Sequence, residues 1–471
     1  MTAISTQTGP REPTALDGIE ASTDSILERQ IVRAELDTIR YPVLTLPPGI
    51  TSHIFLHCLP TQPEASPSPS RTPILLTHVC HDWRYLALAL PFLWQSLTLK
   101  ERHKKSARDN LELLALWLER SGNLPISLRF HCRDAQSLVD ASLPHSHRWR
   151  ELEIKSSAHI DGSQAFPELR RVIVARSQEY APRPVNILDA PRLREATVDG
   201  FLDVPDVSLP WGQLESLTIL ARVGAFSIGA SILRQCSSLR ALTRLGFVVG
   251  DEAAAWSEPH VTLSALHALD AHYSALPFLT CPSLQQLSLS GRPVVPSMVS
   301  QLEAFMARSS FRLQRLALRL GETNLDPEDV RLWHRIFPAI ASLALVEPLD
   351  YRALGAISPD MFPALEHLAV RVHRIRVRNN CAPLFDFLRT RRSPTSAAKA
   401  LKTLELSFYP DSDGAPSFAS PLAEPLGSLL PAPAVAELRA LAAGGLQLRI
   451  GVSDFRAAAA PRIILDTFLP G

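Results

Sequence analysis

Cysteine is scarce in this chain: six residues, at positions 58, 80, 132, 236, 281 and 381, are scattered over 471. None forms a Cys-x-x-Cys pair. A disulfide framework is therefore not expected, and reduced thiols fit an intracellular protein. Glycine is also scarce, at 20 residues, whereas proline is abundant at 39. That proline share is about 8%, against a usual ~5%. The combination implies many short elements with rigid punctuation. An excess of one charge is missing too: 48 Lys+Arg face 47 Asp+Glu, for a formal charge of +1. The balance argues against a polybasic nucleic-acid binder and an acidic tail, so no nucleic-acid partner is expected.

Long apolar runs are absent. The greasiest stretch, from Ile74 to Leu99, is interrupted by His81-Asp82-Trp83-Arg84. It falls short of the ~18–20 apolar residues of a membrane-spanning helix. The leading MTAISTQTGPREPTALDG carries no apolar signal core, so the expected location is cytoplasm or nucleus, with no membrane partner. Catalytic patterns are missing as well: there is no HExxH, GxSxG, P-loop or GxGxxG. His78-Val79-Cys80-His81 looks metal-like, but only His78 and His81 share a helical face, and no second pair supports them. The sequence therefore predicts no enzyme, no catalytic residues, no cofactor and no metal.

Hydrophobic residues make up 46% of the chain and charged residues 20%, which suits a sizeable core and excludes wholesale disorder. The length fits two to four domains or one long repeat array. Residues 1–23 are polar and rich in Ser, Thr and Pro, the composition of a disordered tail. Over 24–41, Leu27, Ile31 and Ala34 lie near helical spacing, which predicts a helix ending before Pro42. Leu46-Pro47-Pro48 suits a helix start, and Ile50, Ile54 and Phe55 give that helix an apolar side. A Pro/Ser-rich loop spans 60–73. Leu76, Val79, Trp83, Ala87 and Leu90 then form one helical stripe that Pro91 stops. About fifty residues in two or three helices cannot bury all their apolar surface, so a partner for 42–99 is expected on physical grounds alone.

The stretch LTLPPGITSHIFLHCLP, the Pro/Ser loop and LLTHVCHDWRYLALALPFLWQSL together resemble an F-box, in the variant found in expanded fungal families. The matching elements are Leu46-Pro47-Pro48, Ile50, Ile54-Phe55, Val79-Cys80, Trp83 and Leu93-Trp94. Gly49 departs from the pattern, standing where the family usually carries Glu. The resemblance covers about fifty residues. It implies an all-α domain that docks a Skp-family adaptor of a cullin–RING ubiquitin ligase, with Leu46, Pro47, Ile50, Ile54, Phe55, Val79 and Trp83 as the adaptor-binding set.

From 100 to 471 a unit recurs, (Pro/Phe)-x-Leu-x-x-Leu-x-Leu. Its middle apolar position reads as Leu152, Val172, Ala196, Leu217, Leu245, Leu269, Leu287, Leu316, Leu343, Leu368 and Leu404, with the register at 245 and 269 ambiguous by three residues. Most of the spacings fall within or near the roughly 20–29 residues of leucine-rich repeats. The Asn that many such repeats place after the leucines is absent. The expected fold class is α/β: an N-terminal F-box-like helical domain, then an irregular leucine-rich-repeat solenoid with parallel strands on its concave side and helices and loops on its convex side. Helices are expected near 110–122, 298–309, 327–337, 384–392 and 434–443, with further strands near 125–130 and 446–452. Residues flanking the middle position point to the concave face. Glu151, Glu153, Arg171, Glu195, Arg244, Asp270, Arg315, His367 and Glu405 are the candidate contacts for an unknown protein substrate. The combined expectation is a substrate-recognition subunit of a Skp–cullin–F-box ligase; a protein-binding scaffold outside any ligase is the alternative.

Overall fold

A computed structural model describes residue 30 and residues 46–60, 67–101, 107–133, 135–156, 158–175, 184–199, 207–220, 226–245, 260–291, 296–319, 327–349, 361–373, 382–391, 399–409, 432–452 and 462–466. The expected tail and all but Gln30 of the expected helix over 24–41 lie outside these residues. The chain divides into two compact units: Met1–Ser96 with Glu119–Leu124, and Leu97–Leu118 with Pro125–Gly471.

The first unit is helical. Helix α1 (Pro48–His57) starts with proline in its first turn, where a missing N–H costs nothing. It buries Thr51 and Phe55. The single second helix that the stripe predicted is in fact two elements. A 3-10 turn covers Leu75–His78, and α2 covers His81–Ala89. The break is at Cys80, whose backbone is extended (φ −156°, ψ 174°); its sulfur accepts a hydrogen bond from Trp83 N at 3.5 Å and so caps α2. A continuous helical period was thus the wrong frame across Cys80, and Val79 is 53% exposed rather than packed. A second 3-10 turn, Pro91–Trp94, brings Leu93 and Trp94 into the core. The Trp94 indole donates to Ala87 O at 3.0 Å, and Phe55 meets Trp83 edge-on with ring centroids 4.9 Å apart.

The second unit is mixed α/β and is built on one large open sheet. Its early strands are β1 (Ser96–Lys100), β2 (Ile126–His131), β3 (Trp149–Lys155), β4 (Arg171–Ala175), β6 (Glu195–Asp199), β8 (Ser216–Leu220) and β9 (Ala241–Leu245). They are followed by β11 (Ala268–His272), β13 (Gln286–Ser290), β14 (Arg315–Arg319), β15 (Ser342–Leu349), β16 (His367–His373), β17 (Thr403–Tyr409), β18 (Gln447–Val452) and β19 (Arg462–Asp466). These fifteen strands lie side by side in chain order. Pairing is parallel from β2 through β18. The last strand, β19, which the sequence did not suggest, turns back antiparallel on β18. Two small parallel pairs, β5 (Val185–Asn186) with β7 (Val207–Ser208) and β10 (Val261–Thr262) with β12 (Leu279–Thr280), stand outside the main sheet.

Helices fill several of the connections: α3 (Ala107–Arg120), α4 (Ala135–Ser142), α5 (Phe226–Gln235), α6 (Pro296–Ser309), α7 (Pro327–Ile336), α8 (Ala382–Arg391) and α9 (Ala432–Ala443). Five of them stand where helical spacing predicts them; α4 and α5 are additional.

The recurring leucines explain the ladder. Leu152, Val172, Ala196 and Leu217 are direct register partners across β3, β4, β6 and β8. The same row continues through Leu269, Leu287, Leu316, Leu343, Leu368, Leu404 and Leu448. Between Leu217 and Leu269 the row passes through Leu242, not Leu245. Every member is at most 3% exposed. Three residues earlier, Leu169, Leu193, Leu214, Leu239, Leu266, Leu284, Ile340 and Leu365 form a second buried row. Leu239 is the register marker for Leu242. Both rows lie on one side of the chain, because strand alternation places i and i+2 together while the preceding turn brings in i−3.

Backbone bonds lock neighbouring units before each strand starts. Gln285 O accepts from Gln314 N at 2.9 Å and Arg315 N at 3.0 Å; Ala341 O accepts likewise from Glu366 N and His367 N. Long side chains also clamp the turns that precede the strands. Gln213 donates to Ala190 O and Leu193 O. Fully buried Arg391 donates to Met361 O, Phe362 O, Leu365 O and Lys399 O. Arg391 belongs to LRTRR (388–392), which looks like a basic patch in the sequence and is here partly an internal fastener.

Candidate functional site

Two surfaces concentrate the candidate residues, one in each unit. On the helical unit, Ile50 is 51% exposed, and Val79, Leu56, Leu75 and Tyr85 are exposed as well. Pro47 is exposed, while Leu46, Ile54 and Trp83 are half-buried. Phe55 is fully buried, so of the seven predicted adaptor contacts it serves the core. Sequence reasoning missed Leu56, Leu75 and Tyr85; their only signal was apolar character off the assumed stripe.

On the sheet unit, residues on either side of the buried row fall on the opposite, open face. Its first strands carry a dense ion-pair network. Arg129 Nη2 lies 2.6 Å from Glu151 Oε2, and its Nε lies 3.4 Å from Glu153 Oε2. His131 Nε2 and Lys155 Nζ approach the other Glu153 oxygen at 2.9 and 2.6 Å. Burial opposes the charge of Glu153, but hydrogen bonds from His131 and Lys155 overcome it and pull the carboxyl down to about 2. Arg171 then pairs with Glu195 at 3.2 Å. Four predicted contacts, Glu151, Glu153, Arg171 and Glu195, are thus engaged with other residues of this face.

Farther along, the side chains shrink. Ser288, Ala317, Ala344 and Ala369 are register partners in a single row across four strands. At the first three of these small residues a depression of about 270 Å³ opens, lined also by Thr243, Ala268, Asp270, Gln286 and Arg315. Asp270 is paired with Arg319 at 3.1 Å. The Ser288 hydroxyl is buried in the lining with no hydrogen-bond partner among the described residues. Arg315 is exposed, stands between Gln286 and Ser342 in register, and has no ion-pair partner among the described residues. His367 Nδ1 and Thr403 Oγ1 are 2.6 Å apart. Glu405 is half-buried beside Ala369 and Arg449. Arg244 lies between the paired Leu242 and Leu245, where the register shifts. The three-residue register correction puts Ala241 and Thr243 at the flanking positions of β9, and the Arg244 side chain lies outside the described residues.

The buried thiols belong to packing. Cys236 and Cys281 sit at the turns before β9 and β13, and burial pushes each up to about 12, far from the range of a reactive thiolate. Among the described residues no cluster of three or more His, Cys, Asp or Glu is placed to hold a metal ion. No helix among them is long and apolar enough to cross a membrane. No family model matches the chain, and no curated protein matches it either.

Proposed function

We propose that the chain is a substrate-recognition subunit of a Skp–cullin–F-box ubiquitin ligase. In this reading the helical unit is an F-box-like domain that docks a Skp-family adaptor. The sheet unit is an irregular leucine-rich-repeat array that holds a protein substrate. The protein performs no bond chemistry; it acts by bringing the substrate near the ubiquitin donor, in cytoplasm or nucleus.

The observation that carries the reading is the exposed apolar set of the helical unit. Ile50 and Val79 leave more than half their surface open, and both stand at positions where the sequence resembles the adaptor-binding motif. Several large apolar side chains left open on so small a unit suit a protein contact. The parallel ladder of recurring leucines supports the second half, since stacked repeats commonly offer their open strand face to partners.

The test is capture of a purified Skp-family adaptor by the full chain, wild type against Ile50→Asp/Val79→Asp. Both side chains are exposed, so the fold survives, and a charge at a desolvated contact lowers capture at least about tenfold. Equal capture, or none by the wild type, counts against the reading. Gly49 favours a second one, a binding scaffold outside any ligase, because the position usually held by Glu in the F-box is empty. A Cβ there would meet nothing within 4 Å, so Gly49→Glu is tolerated and separates the two: capture gained only in that variant means the natural chain works without the adaptor.

A further inference from the structure

The open sheet face is electrostatically closed over its first strands and open at the depression. Glu151, Glu153 and Glu195 are all satisfied within the face. At the depression the Asp270–Arg319 pair cancels itself, and Arg315 is left exposed without an ion-pair partner among the described residues. The local balance is therefore one positive charge beside a floor of small side chains.

We propose that this depression seats an extended segment of a protein partner bearing a carboxylate side chain, with the carboxylate on the Arg315 guanidinium. The inference rests on reading the sheet face as a partner-binding surface and is independent of the adaptor. Three properties point to this occupant. A guanidinium presents two parallel donors that match a carboxylate. The row from Ser288 through Ala317 to Ala344 crosses three strands about 4.8 Å apart, room for roughly three residues of extended chain at ~3.3 Å per residue, and its small side chains leave that path unobstructed. The single net charge suits a monoanion, while a dianion would meet Asp270 across the floor.

The probes are three random-flank dodecapeptide libraries, fixed at the centre as Glu, Gln or phosphoserine, offered to the purified full chain. The Glu library is retained about tenfold over the Gln library at low salt, and the preference falls to parity in Arg315→Gln and Arg315→Glu. Ala317→Trp fills the floor and abolishes retention; Ala344→Trp is the second filling variant, and thermal melting reports whether each is folded. Arg331→Ala, on α7, leaves the preference intact. Equal retention of Glu and Gln libraries, a preference that survives Arg315→Glu, or stronger retention of the phosphoserine library overturns the proposal. Adaptor capture measured in parallel uses the other unit, so the loss of one result leaves the other standing.

Discussion

Glu153 shows how one residue sets a pH dependence. Its carboxylate is held by Arg129, His131 and Lys155, and its folded-state value is depressed to about 2 from 4.5. A depressed carboxyl contributes stability that is fully present above the unfolded value and disappears as pH falls through the folded one. With Lys155 half open to solvent, the contribution is on the order of 2 kcal/mol after screening. Denaturant melts at successive pH values between about 5 and 2 are expected to show a loss of that size in the wild type. In Glu153→Gln the loss flattens, and the neutral-pH stability is lower from the start because Arg129 loses one of its two carboxylates. An unchanged slope would mean that the network carries no net stabilisation.

Cys80 decides the form of the first unit at the scale of elements. Its extended backbone ends one 3-10 turn, and its sulfur caps the next helix. A thiol is a weak acceptor, whereas Ser is among the best N-cap residues. Cys80→Ser is therefore expected to stabilise the helical unit by about 0.5–1 kcal/mol, read as a rise in the denaturation midpoint of the helical signal; a fall would show that sulfur packing outweighs the cap. The same element marks the limit of the sequence. Spacing located α1, α3, the helices from α6 to α9 and thirteen of the fifteen strands of the main sheet, because the leucine period is set by burial. It mistook Leu76 to Leu90 for one helix, since an extended Cys80 leaves no trace in apolar spacing. It slipped by three at Leu245, where Leu242 and Leu245 both look correct and only the neighbouring strands choose between them. The depression at Ser288, Ala317 and Ala344 was also illegible: small residues carry no pattern of their own, and their alignment across strands is a product of register. The nine predicted face residues were named one by one, but which of them are already satisfied by a neighbour depends on side-chain pairing between units about 20 to 30 residues apart.

For the whole molecule, what matters is how far a local change travels. Each strand of the sheet unit bonds only to its two neighbours, so stability is close to a sum of unit and neighbour terms. Leu287 is buried at 1% exposure in the register row between Leu269 and Leu316. Leu287→Ala removes buried methyl groups and leaves a cavity, at a cost of about 2–5 kcal/mol. If the array behaves as stacked repeats, that cost stays near its origin. Amide hydrogen exchange followed by mass spectrometry is expected to accelerate in β11, β13 and β14, then in β9 and β15. Protection in β3 and β4, six and five strands from β13 in the sheet order, should match the wild type. Uniform acceleration along all the strands would instead mean that the sheet opens as one cooperative block, and the nearest-neighbour picture of its energetics would have to be abandoned.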